Sequence, residues 1–275
     1  MRGVNTGIFM GSKEDGQGAA VTLLGCPLDA TSSFRGGTKF APESIRKASW
    51  TLETYSPYLK RDLDEMMFFD AGDLRLRPGD LSYSLECIES AVTEIVGRGK
   101  KILILGGEHL VTYPILRAVN ERFRDLQIVH FDAHCDLRDE YEGQKLSHAT
   151  VMKRVKELGR LEVFHVGIRS GTRQEFEELL PVDSPASLEA RLNRNIPIYV
   201  SFDMDVFDPS LVAGVTTPEP GGLMFHQVME YFLVFKEMNI IGADIVELAP
   251  DYDTTLVSSI SASKVAREML MLLGS

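Results

Sequence analysis

The chain of 275 residues predicts an α/β fold, a three-layer α/β/α sandwich around a mostly parallel sheet. Three observations carry that expectation. Short apolar or β-branched runs alternate with longer segments whose apolar residues fall at helical spacing. The runs are apolar at nearly every position, as strands buried on both faces are. The polar clusters "GGEH", "DAHCD" and "SFDMDVFDP" each follow such a run, and ligands of open parallel sheets bind outside the carboxyl ends of the strands.

Taken in order, the strand-like runs are "AVTLLG" (20–25), "MMFFD" (66–70), "KILILGG" (101–107), "QIVHFD" (127–132), "EVFHVGI" (162–168), "IPIYVSFD" (196–203) and "NIIGADIVEL" (239–248). Between them, "SYSLECIESAVTEIVGRG" (82–99) and "VTYPILRAVNERFR" (111–124) place apolar residues on one helical face. No Pro/Gly/Ser linker, low-complexity tract or internal repeat interrupts the chain, so a single domain over 1–275 is expected.

Composition narrows the function. Hydrophobic content of 44% and charged content of 25% belong to an ordinary globular chain. Cys26, Cys87 and Cys135 form no C-x-x-C pair, which argues against a disulfide framework or zinc knuckle and fits a reducing, cytoplasmic setting. The N-terminal "MRGVNTGIFMGSKEDGQGAA" lacks the apolar stretch of a secretory leader. No run approaches the ~20 residues that span a bilayer, so no membrane partner is expected. A net charge of -11 argues against a nucleic-acid partner and is compatible with a small cationic substrate.

The chemistry sits in the polar clusters. If extended geometry persists, Asp132, His134 and Asp136 project to one face, as do Asp203 and Asp205. Carboxylates buried there must be paired, neutralised or bound to metal, and metal answers both clusters at once. His109, after a strand and two glycines, opens a helix and joins them. Four carboxylates and two imidazoles without a thiolate suit Mn²⁺ or a similar hard divalent ion. Four carboxylates balance two such ions and can bridge them. Cys135 lies in the opposite phase and is assigned to packing. His130 shares parity with Asp132 and would support the metal site. His165 and His226 are assigned structural roles, and "GRGKK" (97–101) lacks the spacing of a phosphate loop.

Together, "GCPLDATSSFRGGTKFAPESIRKAS" (25–49), "GGEH", "DAHCD", "SHAT", "GIRS" (167–170), "SFDMDVFDPSLVAGVTTPEPGGL" (201–223) and "GADIVELAPDYD" (242–253) resemble the ureohydrolase family, which includes arginase, agmatinase and formimidoylglutamase. The agmatinase branch is nearest in wording, and the likeness covers nearly the whole chain. The resemblance implies a binuclear manganese centre that hydrolyses a guanidino group to urea and an amine. It implies His109 and Asp136 on one metal, His134 and Asp205 on the other, and Asp132 and Asp203 on both. It further implies His148 as proton shuttle, Glu247 as the partner of the substrate guanidinium, and assembly as trimers or hexamers. Glu219 and the glycines of "TPEPGGL" are read as turn chemistry.

Substrate choice stays open at this level. Val212, Ala213, Val215 and Thr216 depart from the family wording and put the pocket wall in doubt. The loop 137–147 carries Asp139, Glu140 and Glu142, suited to the distal amine of agmatine or of a longer polyamine precursor. It also carries Arg138 and Lys145, suited to the carboxylate of arginine, a guanidino acid or formimidoylglutamate. A catalytically silent, oligomeric metal-binding member is the alternative of a different class, and a one-metal deacetylase a third.

Overall fold

The computed structural model describes residues 7–159 and 161–274; the first six residues of the N-terminal segment read above lie outside them. Each of the seven apolar runs forms a strand: β1 (Val21–Cys26), β4 (Phe68–Asp73), β5 (Lys101–Gly106), β6 (Leu126–Phe131), β7 (Leu161–Val166), β9 (Ile198–Asp203) and β10 (Ile240–Val246). An eighth, β8 (Pro181–Val182), extends the sheet beside β7. A separate antiparallel pair, β2 (Tyr55–Ser56) and β3 (Arg61–Asp62), stands outside it. These three short strands have no counterpart among the predicted runs, because two residues cannot establish a period.

The sheet order is β4-β1-β5-β10-β9-β6-β7-β8, and every ladder in it is parallel. Successive residues of each central strand face opposite layers. In β5, Leu103 and Leu105 join one apolar cluster while Ile102 and Ile104 join the other. The first cluster is closed by α1 (Ala41–Ser49), α6 (Pro185–Arg191), α7 (Phe225–Val234) and α8 (Val257–Leu273). The second is closed by α2 (Leu81–Gly97), α3 (Thr112–Arg122) and α4 (Val151–Lys156). A short α5 (Arg173–Glu178) follows β7. This is the three-layer arrangement expected from fully apolar strands. Phe131 anchors it, in ring contact with Phe202, Tyr231, Phe232 and Phe235; truncating a buried ring of this kind typically costs about 3–5 kcal/mol.

What positions the site is the interruption in strand order. β5 and β6 are neighbours in the chain's run of main strands, yet β10 and β9 lie between them. The carboxyl ends of four central strands therefore lie side by side; β5, β6 and β9 lead into the three polar clusters, and β10 leads into Glu247. Among the described residues, no helix is long and apolar enough to cross a membrane.

Candidate active site

His109 reaches the site through the turn after β5. Gly107 lets the chain turn there, since a Cβ would collide with the backbone of Leu28. His109 then opens a 3₁₀ turn (His109–Val111) that runs into α3. Asp132 follows β6, and its Oδ1 accepts the His134 N–H, while Ala133 N–H donates to Asp205 Oδ1 at 2.9 Å. Gly167, at φ 90, leaves room for Val206 and the Asp132 carbonyl.

The expectation of one continuing strand phase needs correction. Asp203 ends β9, but its Oδ1 caps a 3₁₀ turn (Met204–Val206) by accepting Asp205 N–H at 2.8 Å. Asp205 thus arrives on a turn. Asp136 turns inward from left-handed backbone, φ 54, a conformation that costs a non-glycine residue about 1–3 kcal/mol and is found mostly at functional sites.

The six residues nevertheless converge. His109 Nδ1 lies 3.0 Å from Asp132 Oδ2, 3.1 Å from Asp203 Oδ2 and 3.2 Å from Asp136 Oδ2. His134 Nδ1 lies 2.9 Å from Asp205 Oδ2 and 3.5 Å from Asp132 Oδ1. Asp132 is common to both groups. In each of two overlapping sets, His109/His130/Asp132/Asp136 and Asp132/His134/Asp205, the ligand atoms lie within 4.8 Å of one another.

The donor set fits a divalent cation. His109 Nδ1 is buried and makes no hydrogen bond. The ring's other nitrogen, Nε2, lies 3.0 Å from Ser201 Oγ, whose own proton goes to Asp244 Oδ1 at 2.8 Å. Nε2 therefore keeps its proton toward Ser201, and Nδ1 is the nitrogen that faces the carboxylates and can exchange its proton for a metal ion. Asp244 is held by Thr112 Oγ1 and Tyr199 OH as well. This is how a metal-binding histidine is oriented by a hydrogen bond on its far side.

Electrostatics point the same way. Burial pushes Asp203 well above the usual carboxylate range, with Asp205 and Asp132 adding to it, and Asp205 is raised too. Asp132 goes the other way: burial would raise it, but His130, His109 and His134 hold it well below. His134 is pushed up to about 12, burial being outweighed by Asp205 and Asp132. So many carboxylates sharing so few cations make a site in which a divalent ion replaces imidazole protons.

Glu247, after β10, is also in left-handed backbone (φ 62). It accepts the His109 N–H and the Thr216 hydroxyl. Burial pushes its carboxyl up to about 8. His148 begins a 3₁₀ turn (His148–Thr150), its ring nearly perpendicular to that of Tyr141 with the centroids 5.6 Å apart. His109, His134, His148, Asp203, Asp205 and Glu247 all line one cavity of about 280 Å³, with Arg138 and Tyr141 in its wall.

A model of the arginase family matches residues 19–272. The chain belongs to the arginase family. Within that family, an agmatinase of Bacillus anthracis is 41% identical over 276 residues, covering 96% of this chain and 95% of its own. A guanidinobutyrase of Pseudomonas aeruginosa is 33% identical over 272 residues, covering 91% and 85%. The crystal structure of the agmatine ureohydrolase of Thermoplasma volcanium superposes with a TM-score of 0.87 at 31% identity, covering 98% of this chain and 94% of that one. The family character makes this chain an agmatinase-like ureohydrolase, a hydrolase of linear amidines with a His/Asp metal-binding cluster.

The remaining sequence expectations divide. His130 Nε2 lies 2.9 Å from Asp132 Oδ2, and its Nδ1 lies 2.9 Å from His165 Nδ1, so both buried histidines brace Asp132. His226 is exposed on α7. Cys135 borders the cavity, and burial pushes its thiol up to about 12. Of the four departures, Val212 and Val215 face the core and Ala213 faces outward; Thr216 alone meets the site, through Glu247. In the loop 137–147, Asp139, Glu140, Glu142 and Lys145 are exposed, and Arg138 is the charged side chain of the loop that lines the cavity.

Sequence reasoning did not single out Ser201, Asp244, Thr31 or Glu108. Asp244 had a signal: a lone carboxylate inside an apolar strand needs buried partners. Arg169 of "GIRS" clamps carbonyls of Gly167, Asp205, Val206, Phe207, Glu219 and Pro220. It ties the turn carrying Asp205 to the segment around Glu219.

Proposed function

We propose that the chain is a binuclear manganese amidinohydrolase acting on agmatine or an agmatine-like polyamine precursor, with His109, Asp132, His134, Asp136, Asp203 and Asp205 holding two Mn²⁺ ions. The observation that carries this is the pair of imidazoles whose Nδ1 atoms face two carboxylate groups sharing Asp132, on the same cavity as His148 and Glu247. Two ions there would supply Lewis acidity and lower the pKa of water. Four aspartates balance their charge.

The residues of the chain do the rest. Glu247 pairs its carboxylate with the planar guanidinium, a charge-assisted contact. Hydrolysis forms one C–O bond and breaks one C–N bond, and both protons of the water end on the departing amine. His148 carries a proton to that nitrogen, a transfer for which an imidazole is suited. The same reading takes residues 1–275 as one cytoplasmic domain, assembled as a trimer or hexamer.

A second specificity has one observation in its favour. Arg138 lines the cavity, and a guanidinium there suits a substrate tail ending in a carboxylate, such as a guanidino acid. Urea release by Mn²⁺-loaded protein offered agmatine, aminopropylagmatine, arginine and 4-guanidinobutyrate side by side separates the two. The proposal expects an amine-tailed guanidine to be preferred, and His148→Ala to lower kcat by about 10²–10⁴-fold. Preference for an acid-tailed guanidine transfers the assignment to the second reading, and urea from none of them refutes both.

A further inference from the structure

Glu108 is fully buried beside His109 and belongs to neither carboxylate group described above. Its Oε2 accepts the backbone N–H of Ala30 at 2.6 Å and of Thr31 at 2.7 Å. Its Oε1 accepts the Thr31 hydroxyl at 2.8 Å. Three donors from two adjacent residues fasten the loop after β1 to the turn after β5. Burial raises the Glu108 carboxyl, and the three donors act against that shift.

Thr31 then faces His148. A hydroxyl has one proton and two lone pairs, and the proton of Thr31 is given to Glu108. Its oxygen is left as an acceptor, and it meets the His148 backbone N–H at 3.0 Å and the ring Nδ1 at 3.3 Å. An acceptor at Nδ1 requires a proton on Nδ1. The lone pair of the neutral ring is then on Nε2, which lies 3.3 Å from Ser33 Oγ, another residue of the cavity lining.

We infer that Thr31, locked by Glu108, is a positioning residue that fixes His148 as the Nδ1–H tautomer and so makes Nε2, on the cavity side, the atom that takes up and releases the proton. The inference rests on the shuttle role of His148 under the proposed function. It adds which nitrogen works and what orients it. Glu108 holds the loop through two backbone N–H groups that a substitution at Thr31 leaves in place, so Thr31→Val keeps that anchor while deleting the oxygen that meets the His148 N–H and Nδ1.

The test pairs two readouts. Long-range ¹⁵N–¹H NMR of protein labelled at histidine, with diamagnetic Mg²⁺ in place of Mn²⁺, reports the His148 tautomer, the signal being assigned by its loss in His148→Ala. Wild type and Thr31→Ser are expected to show Nδ1–H, and Thr31→Val a mixture or the Nε2–H form. In Mn²⁺-loaded enzyme, Thr31→Val is expected to lower kcat by about 10–100-fold, a fraction of a general acid's usual contribution, with KM within about twofold. Thr31→Ser should restore it, and Thr31→Val should cost nothing further in a His148→Ala background. An Nε2–H tautomer in the wild type overturns the inference, as does an additive loss in the double variant. If no guanidine is hydrolysed, the proposed function fails while the tautomer still decides the role of Thr31.

Discussion

His109 Nδ1 is the atom around which the site is arranged: it is buried, faces three carboxylates, makes no hydrogen bond, and is turned there by Ser201 and Asp244 behind the ring. Removing the support should loosen the metal without touching a ligand. Ser201→Ala is expected to weaken metal affinity by about 10–100-fold, the usual cost of losing such a partner, as read by competition with a chelating dye. Unchanged affinity would mean the ring is held by packing alone. At this scale the candidate ligands were legible because ionisable residues cluster just where apolar strands end. Ser201, Thr31 and Glu108 were not, because Ser201 acquires meaning from a partner 43 positions away, Glu108 from one 77 away, and Thr31 from partners 77 and 117 away.

Among the elements, α8 shows how a helix end supports the site from outside it. Leu256 before its first turn is left-handed (φ 64) and offers no side-chain cap. Asp253 takes that role, accepting from Ser258 N–H at 2.7 Å, Ser258 Oγ at 2.6 Å and Thr255 N–H at 2.9 Å. Ser258 Oγ also accepts Gly214 N–H at 2.9 Å, which ties α8 to the segment that presents Thr216 to Glu247. Burial would raise the Asp253 carboxyl, yet hydrogen bonds from Ser258 and Thr255 hold it down to about 2. Its unfolded value is near 3.9. The folded value being the lower, its stabilisation is complete above about pH 4 and is lost as pH falls toward 2. Asp253→Asn is expected to cost roughly 1–2 kcal/mol at neutral pH, and thermal melts should show the gap to wild type closing across that acid window. A gap independent of pH would show that the charge contributes nothing.

The strand phase illustrates the limit of reading elements from sequence. Asp132 does follow its strand as predicted, whereas Asp205 comes in on a 3₁₀ turn capped by Asp203. The D-x-D spacing fits either geometry, and only the hydrogen bond from Asp205 N–H to the Asp203 side chain selects the turn.

For the molecule as a whole, continuous apolar runs were enough to predict a three-layer fold, since strands covered by helices on both faces have no polar side to show. Strand order was not legible. It depends on where β9 and β10 insert, and that insertion brings residues from 109 to 247 to one cavity. The short edge β8 and the β2/β3 pair escaped because they bury too little to leave a pattern. Substrate choice escaped for a different reason: most charges of the loop 137–147 point to solvent, and Arg138 alone of them reaches the cavity wall.

Under the proposed function, two metal ions held by this His/Asp cluster are needed to hydrolyse a guanidine. The most direct measurement is urea release from agmatine by metal-stripped protein as Mn²⁺ is added in known equivalents per chain, with bound metal counted at each step. Activity is expected to rise until two equivalents are bound and then stay level, and Asp205→Asn to bind fewer ions and release little urea. Full activity with a single ion bound, or two ions bound with no urea formed, would contradict the proposed function.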